Sequence, residues 1–154
     1  MKELRSEILF EMSLDVDLRE VQKVGLAPGG ERRIAPIKGG RFSGPKLAGK
    51  VLPGGADWLR IRSDGARELD IRLTLETDDG HLIYVAALGI LNVSPETFER
   101  ILRREPVDAA DYYFRTTPRF EVAGEKYDWL NRVVAVSVGR PEQTAVIQTI
   151  YAIL

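Results

Sequence analysis

Apolar and polar residues alternate over two long stretches of this chain, residues 10–18 and residues 69–76. A period of two is typical of a β-strand with one buried face. After the second stretch, the sequence DDG favours a tight reversal, so residues 81–91 are predicted to return as the partner strand. Residues 58–62 precede the second stretch across another turn-forming sequence, and the three segments together predict an antiparallel meander.

Three further strands and one helix are predicted toward the C-terminus. The strands cover residues 112–122, 132–138 and 145–154, of which the last two are rich in β-branched residues. The helix covers residues 94–103, because Ser94 is a good N-cap and is followed by proline and by apolar residues on one helical face.

Residues 25–55 differ from the rest of the chain because glycine or a Pro-Gly pair interrupts them every few residues. They predict a run of short strands and bends. Two interpretations apply to these glycines: they relieve crowding at the corners and bulges of a barrel, or they let the backbone approach a ligand closely.

These elements predict an all-β, mainly antiparallel fold: a small β-barrel with one short helix, formed by residues 1–154 as a single domain. The alternative is a two-sheet β-sandwich. The barrel is favoured because closure leaves no exposed strand edge. A chain of 154 residues is long enough to bury a core without disulfides or metals.

Composition and charge narrow the classes of function. The chain has 22 Lys and Arg residues against 23 Asp and Glu residues, so a net charge of -1 gives no field that attracts nucleic acid or an anionic membrane. It has no cysteine and one histidine, which excludes thiolate catalysis and zinc-thiolate sites. We therefore expect no metal, no cofactor, no nucleic-acid partner and no membrane association.

Targeting signals and familiar nucleotide-binding motifs are missing from the sequence. The first 16 residues carry charges throughout, and no stretch approaches the roughly 20 apolar residues that span a bilayer. The expected location is the cytoplasm. The sequence contains neither a G-x-x-x-x-G-K-[ST] phosphate loop nor a strand-GxGxxG-helix dinucleotide site.

Two unusual phrases carry a resemblance to a known family. They are GGRFSGP at residues 39–45 and GKVLPGGADW at residues 49–58. Shorter matches follow at residues 64–65, 69–72, 79–80, 83–84, 113–116 and 127–131. In these motifs the chain resembles the domain-of-unknown-function 3237 family, also called uncharacterised protein family 0311. The resemblance implies a small β-barrel and no established function.

Asp57 and Trp58 follow a double glycine and form the first candidate pair. A carboxyl group on a bend beside a large aromatic ring can have a raised pKa and act as a general acid or base. The alternative is that Asp57 caps a turn through its own backbone while Trp58 fills the core.

Asp70 and Arg72 form the second candidate pair, because residues two apart in a strand share a face. That face is either solvated or turned into a barrel lumen, where Arg72 would bind a carboxylate and Asp70 would be a second candidate for acid-base catalysis. Tyr84, in one of the shorter family matches, is a further ligand-binding candidate.

Aromatic residues accompany the remaining candidates. Arg41 precedes a phenylalanine and Arg115 follows a Tyr-Tyr-Phe run, so both are predicted to stack on rings, to bind an anion, or to do both. Tyr127, Trp129 and Asn131 alternate as on one strand face and predict a pocket wall for a planar ligand, with a core cluster as the alternative.

The function predicted from these residues is binding of a small anionic or aromatic organic molecule, with possible transformation by cofactor-free acid-base chemistry at Asp57 or Asp70. The alternatives are a non-catalytic ligand carrier and an oligomeric structural or interaction protein. A homo-oligomer is expected because the apolar stripe of residues 69–75 and the C-terminal strand offer more apolar surface than one small barrel needs.

Overall fold

The computed structural model describes residues 3–154, and within them the chain forms twelve strands, one α-helix and two 3₁₀ helices. The strands are β1 Ser6–Asp15, β2 Gln22–Ala27, β3 Gly30–Pro36, β4 Gly40–Ser43, β5 Ala48–Val51, β6 Ala56–Asp57, β7 Arg60–Ile61, β8 Arg67–Thr77, β9 Leu82–Val93, β10 Tyr112–Val122, β11 Ala135–Pro141 and β12 Ala145–Ile153. The helix α1 is Pro95–Leu102, and the 3₁₀ helices are Ala109–Asp111 and Asp128–Arg132.

Eight of these strands close into an antiparallel barrel. The order around the ring is β8-β5-β4-β1-β12-β11-β10-β9, and β9 pairs back onto β8 along residues 82–91. The predicted barrel is confirmed, and the alternative of two separate sheets is wrong because no break separates β8 from β9. The predicted meander is also confirmed, since β7, β8 and β9 pair in sequence.

The hairpin of β2 and β3 lies outside the ring and extends its wall at one end. Short strands connect it to the barrel: β3 pairs with β6 and β7, which both pair with β8. The ends of β1 and β9 and the starts of β10 and β12 lie at this same end of the barrel. We call it the α1 end.

The apolar stripe of β8 points into the barrel. Leu69, Ile71, Leu73 and Leu75 are all buried, and together with β9 they form one side of the core. Of the two surfaces on which we based self-association, the β8 stripe is therefore interior in one barrel. Self-association stays a prediction without support from this stripe.

Two glycines in the Gly-rich segment lie where the backbones of paired strands approach each other closely. A Cβ atom at Gly40, whose φ is +142°, would lie 2.0 Å from the carbonyl oxygen of Ser13. A Cβ atom at Gly49 would lie 2.0 Å from the carbonyl oxygen of Glu76. At these positions the glycines relieve crowding between strands, as the barrel-corner interpretation predicts.

Helix α1 begins and ends where the sequence predicts. The hydroxyl of Ser94 accepts a hydrogen bond from the backbone N–H of Thr97 at 3.1 Å, and proline occupies the first helical turn. Ile101 is buried and Phe98 is half-buried, so the apolar face of the helix packs on the barrel. No helix within residues 3–154 has the length and apolar character needed to cross a membrane.

The segment at residues 127–131, predicted to alternate as in a strand, lies in the 3₁₀ helix Asp128–Arg132 and its N-cap Tyr127, so that prediction is wrong. The backbone N–H of Leu130 donates to the carbonyl of Tyr127 at 3.0 Å, which is the i to i+3 bond of such a turn. Three alternating residues are too few to distinguish a strand from a turn. Tyr127 and Leu130 are buried and cover the end of the barrel opposite α1, which we call the plugged end.

Aromatic packing fills the plugged end. The ring centroid of Phe10 lies 5.3 Å from that of Phe42 and 6.0 Å from that of Phe120. Toward the middle of the barrel a buried chain of hydrogen bonds links Thr116, Ser137 and Gln148, with both oxygen-oxygen distances at 2.6 Å. Open space inside the barrel is left at the α1 end.

Candidate functional site

A cavity of about 60 Å³ lies inside the α1 end of the barrel. Most of its lining is aliphatic or aromatic, and the charged residues among the lining are Arg33, Asp57 and Arg67. The apolar lining residues are Leu14, Val16, Leu18, Val21, Ala35, Ile37, Leu59, Leu69, Ile71, Leu91, Phe98, Phe114, Pro141 and Val146. An apolar cavity with a few polar groups is typical of a small-molecule site.

Asp57 is held in the cavity wall by the short strand β6, between Ala35 of β3 and Ile71 of β8. Its Oδ1 accepts a hydrogen bond from the backbone N–H of Asp70 at 3.0 Å. Within residues 3–154 nothing donates to its Oδ2, so this oxygen is free to bind a ligand or a water molecule.

Burial raises the pKa of Asp57 to about 7. The loss of hydration disfavours the ionised carboxylate, and the negative charge of Asp70 adds to this effect. The hydrogen bond from the Asp70 backbone and the charges of Arg32 and Arg67 oppose it without cancelling it. Asp57 therefore exchanges a proton near neutral pH, as a general acid or base requires.

Two arginines and three apolar residues form the mouth of the cavity. These residues, Leu18, Val21, Arg33, Arg67 and Phe98, line both the inner cavity and an open cleft of about 1110 Å³ beside α1. The guanidinium carbon of Arg67 lies 4.0 Å from the centroid of the Phe98 ring. A molecule in the cleft thus reaches the cavity past these side chains.

The two arginines at the mouth differ in their partners. Arg33 forms an ion pair with Glu31 at 2.8 Å. Arg67 has no ion pair with any residue from 3 to 154, and both burial and the charge of Arg33 lower its pKa. The charges of Glu31 and Asp57 attract Arg67 without forming an ion pair with it, so its guanidinium can still pair with a ligand. In the same part of the chain, no cluster of His, Asp and Glu residues is arranged to hold a metal ion.

The structure places Asp70 and Arg72 on the outer face of β8. The Nε of Arg72 lies 3.1 Å from Oδ1 of Asp70, and this bond raises the pKa of Arg72. Tyr84 lies near Arg72 on the same outer face, and Trp58 shares a shallow surface depression with Asp70. The lumen interpretation of this face is wrong, because the apolar stripe of β8 takes the interior.

Arg41 and Arg115 are exposed on the outside of the barrel. Arg41 lies on β4, and Arg115 on β10 stacks over the ring of Tyr113 at 5.0 Å. A guanidinium of Arg115 also donates to the carbonyl of Phe114 at 2.8 Å. The structure shows the predicted stacking for Arg115, at a distance from the cavity.

Tyr127, Trp129 and Asn131 lie at the plugged end. The hydroxyl of Tyr127 donates to Oδ1 of Asp79 at 2.9 Å. Asn131 exchanges two hydrogen bonds with the backbone of Val122, at 2.9 and 3.0 Å, and the Nζ of Lys46 lies 5.2 Å from the Trp129 ring centroid. These contacts close the barrel at this end, away from the residues that line the cavity.

Of the ten candidate residues, the cavity includes Asp57 alone. A role of the others in binding elsewhere on the surface stays a prediction. Sequence reasoning missed Arg33, Arg67 and Phe98. A signal existed for Arg67, because it continues the inward period of Leu69 and Ile71.

Comparison with known proteins identifies the family. A family described as a protein of unknown function, DUF3237, matches residues 4–153. The chain belongs to the DUF3237 family. A UPF0311 protein of Rhodopseudomonas palustris is 35% identical over 148 residues, which cover 96% of this chain and 97% of that protein.

Solved structures share the fold. A conserved protein of unknown function from Rhodopseudomonas palustris has a TM-score of 0.91 at 34% identity, with all of both chains covered. An enzyme from Penicillium herquei has a TM-score of 0.73 at 19% identity, covering 100% of this chain and 97% of that one. The second likeness shows the fold alone.

Proposed function

We propose that this DUF3237 protein binds a small organic molecule in the cavity at the α1 end and that Asp57 transfers a proton to or from it. The observation that carries the proposal is a carboxyl group with a free oxygen in an otherwise apolar part of the barrel. The chemistry is acid-base catalysis without a cofactor.

The environment of Asp57 suits proton transfer. Its Oδ1 is held by the backbone N–H of Asp70, and the residue lines the cavity. Its pKa of about 7 leaves both protonation states populated near neutral pH. A general acid or base is most effective when its pKa lies near the working pH.

The surroundings of the cavity supply access from one end of the barrel. The cleft beside α1 leads to the mouth, and the plugged end is filled by aromatic side chains. The Penicillium herquei protein is called an enzyme, which makes the barrel compatible with catalysis. Since that likeness shows the fold alone, the proposal rests on Asp57.

Hydrogen-deuterium exchange into small carbonyl compounds tests the proposal. A panel of ketones, keto acids and esters is incubated in D₂O with the protein, and ¹H NMR follows the C–H groups beside each carbonyl. We expect exchange in at least one compound, slowed about 100-fold or more in Asp57→Asn, which is the usual contribution of a general base. Asp78→Asn, in the exposed β8–β9 turn, is the matched control.

Two outcomes contradict the catalytic part of the proposal. Exchange that continues unchanged in Asp57→Asn removes Asp57 from the chemistry. Compounds that shift the amide signals of cavity residues without any exchange favour the non-catalytic carrier. Binding itself is contradicted when no compound in the panel shifts those signals.

A further inference from the structure

Arg67 is a partly buried arginine at the start of a barrel strand. It lies on the inward-facing stripe of β8, lines both the cavity and the cleft, and has no ion pair within residues 3–154. Its guanidinium stacks on Phe98, which contacts one face of the plane and leaves the N–H groups at its edge for another acceptor. A partly buried cation without a counterion is costly unless a ligand supplies one.

The mouth as a whole favours an anion. Among its five residues two are arginines and none is acidic, while Leu18, Val21 and Phe98 add apolar surface. The cleft beyond also contains two cations, Lys23 and the Arg19 that is paired with Asp17, and the acidic residues Asp64, Glu99 and Asp111. Attraction for an anion is therefore concentrated at the mouth and is weaker across the wider cleft.

Asp57 fixes the direction in which an anionic ligand enters. A carboxylate placed beside Asp57 would meet a second carboxylate in a poorly hydrated cavity, which is unfavourable. The same carboxylate at the mouth meets the planar fork of Arg67, the geometry that arginine binds best. The charged end of the ligand thus stays at Arg67 and the rest points inward.

The size of the cavity limits the part of the ligand that enters it. A cavity of about 60 Å³ is well below the roughly 150 Å³ that accommodates a benzene ring in a protein core. Only the end of a slender chain fits this space, and an aromatic ring would remain in the cleft.

We propose that the ligand is a short-chain carboxylic acid with a carbonyl group in its chain, with its carboxylate bound by Arg67 at the mouth and the carbonyl end directed into the barrel toward Asp57, where a neighbouring C–H can be deprotonated. This inference rests on the proposed function of the cavity and assigns its substrate class. Arg67 is the binding residue for the acid group, and Arg33, held by Glu31, adds positive charge beside it.

Matched charged and neutral probes test the inference. Hexanoate and hexanamide have nearly the same shape, and their binding is followed by ¹H–¹⁵N NMR of the amides that line the cavity and mouth. We expect hexanoate to bind about tenfold or more tightly than hexanamide, as a charge-assisted hydrogen bond implies. We also expect the preference to fall as salt is added.

Variants assign the preference to Arg67. Arg67→Met keeps the aliphatic stem against Phe98 and removes the charge, so the preference for hexanoate should disappear. Arg119→Met removes an exposed charge from the outer face of β10 and should leave the preference intact. Asp57→Asn should also retain it, because the carboxylate is not bound there. An unchanged NMR spectrum and unfolding curve show that each variant is folded.

The contrary outcomes separate this inference from the proposed function. If hexanamide binds in the cavity as tightly as hexanoate, the cavity is a binding site but its ligand is not recognised as a carboxylic acid. If the preference persists in Arg67→Met, Arg67 is not the binding residue. If hexanoate shifts no amide of the cavity or mouth, short-chain acids are overturned as the ligand class, and the carbonyl panel still decides whether the cavity binds other molecules.

Discussion

The side chain of Arg67 stacks on that of Phe98 across the mouth of the barrel, with 4.0 Å between the guanidinium carbon and the ring centroid. The contact joins the start of β8 to helix α1, which are adjacent in space and about 30 residues apart in sequence. The position of α1 over the cavity therefore depends on a residue that also faces the cavity.

Phe98→Ala is expected to loosen α1 from the barrel. It removes a half-buried ring, and we expect a loss of about 1–3 kcal/mol in the free energy of unfolding and faster amide hydrogen exchange in α1. Phe98→Leu keeps apolar surface and loses the cation-π contact, so it should cost about 1 kcal/mol or less. Equal exchange rates in α1 for Phe98→Ala and the wild type would show that the ring does not hold the helix.

Asp57→Asn is expected to change how stability depends on pH. The pKa of Asp57 is about 7 in the folded protein and near 3.9 in the unfolded chain. The folded protein therefore holds this proton more tightly. The free energy of unfolding is highest below pH 4 and falls as the pH rises from 4 to 7. Asparagine accepts the same hydrogen bond from Asp70 and cannot ionise. The variant should therefore gain roughly 2–4 kcal/mol on the wild type between pH 4 and pH 8.

Urea unfolding at several pH values measures this difference. Asp78→Asn is the control, because its carboxylate lies in an exposed turn. A constant difference between Asp57→Asn and the wild type from pH 4 to pH 8 would contradict a buried, proton-binding Asp57. A direct ¹³C NMR titration of the Asp57 carboxyl group gives the same answer without a variant.

Gly49→Ala is expected to destabilise the barrel strongly. The new Cβ would lie 2.0 Å from the carbonyl oxygen of Glu76 in the paired strand β8, and backbone cannot move aside as a flexible side chain can. We expect a loss of about 3 kcal/mol. A Cβ atom at Gly54 would have open space around it. Gly54→Ala should therefore lower the free energy of unfolding only through the strain of a positive φ, +106°, which costs about 1 kcal/mol. Similar melting temperatures for the two variants would contradict the close crossing.

Tyr127→Phe is expected to weaken the plugged end. The hydroxyl of Tyr127 donates to Asp79, whose carboxylate also accepts from Thr77 and Lys126, and these donors hold the pKa of Asp79 well below its usual range. Loss of this bond should lower the free energy of unfolding in chemical denaturation by an amount that solvent around Asp79 reduces. Tyr113→Phe, at an exposed tyrosine, should cost almost nothing. Equal costs would mean that the bond from Tyr127 adds no stability.

The long alternating strands were predictable because their pattern is local. Residues 112–122 were predicted as a strand, and β10 is Tyr112–Val122. Alternation groups residues by face without saying which face is inside, so Asp70 and Arg72 were assigned equally to a lumen and to solvent. The leucine and isoleucine stripe of β8 is buried because burial of apolar surface is favourable. Asp70 and Arg72 lie on the opposite face of the strand and therefore point outward.

The candidate site was predictable only in part, because it is assembled by pairings between distant segments. Asp57 was recognised from its local sequence. Its neighbours Arg33 and Arg67 come from β3 and β8, and their approach depends on β6 pairing with both strands. Phe98 joins them because α1 packs across the end of the barrel. None of these pairings is encoded in a local period of the sequence.

The filled end of the barrel has a kinetic consequence for whatever the cavity binds. Since Phe10, Phe42 and Phe120 close one end together with Tyr127, the cavity is reached from the cleft past Arg67. A ligand then enters and leaves through the same mouth, so a bound molecule must dissociate before the next one binds. Under the proposed function, a product must therefore leave through the mouth, and a product that keeps the acid group of its substrate would still meet Arg67 there.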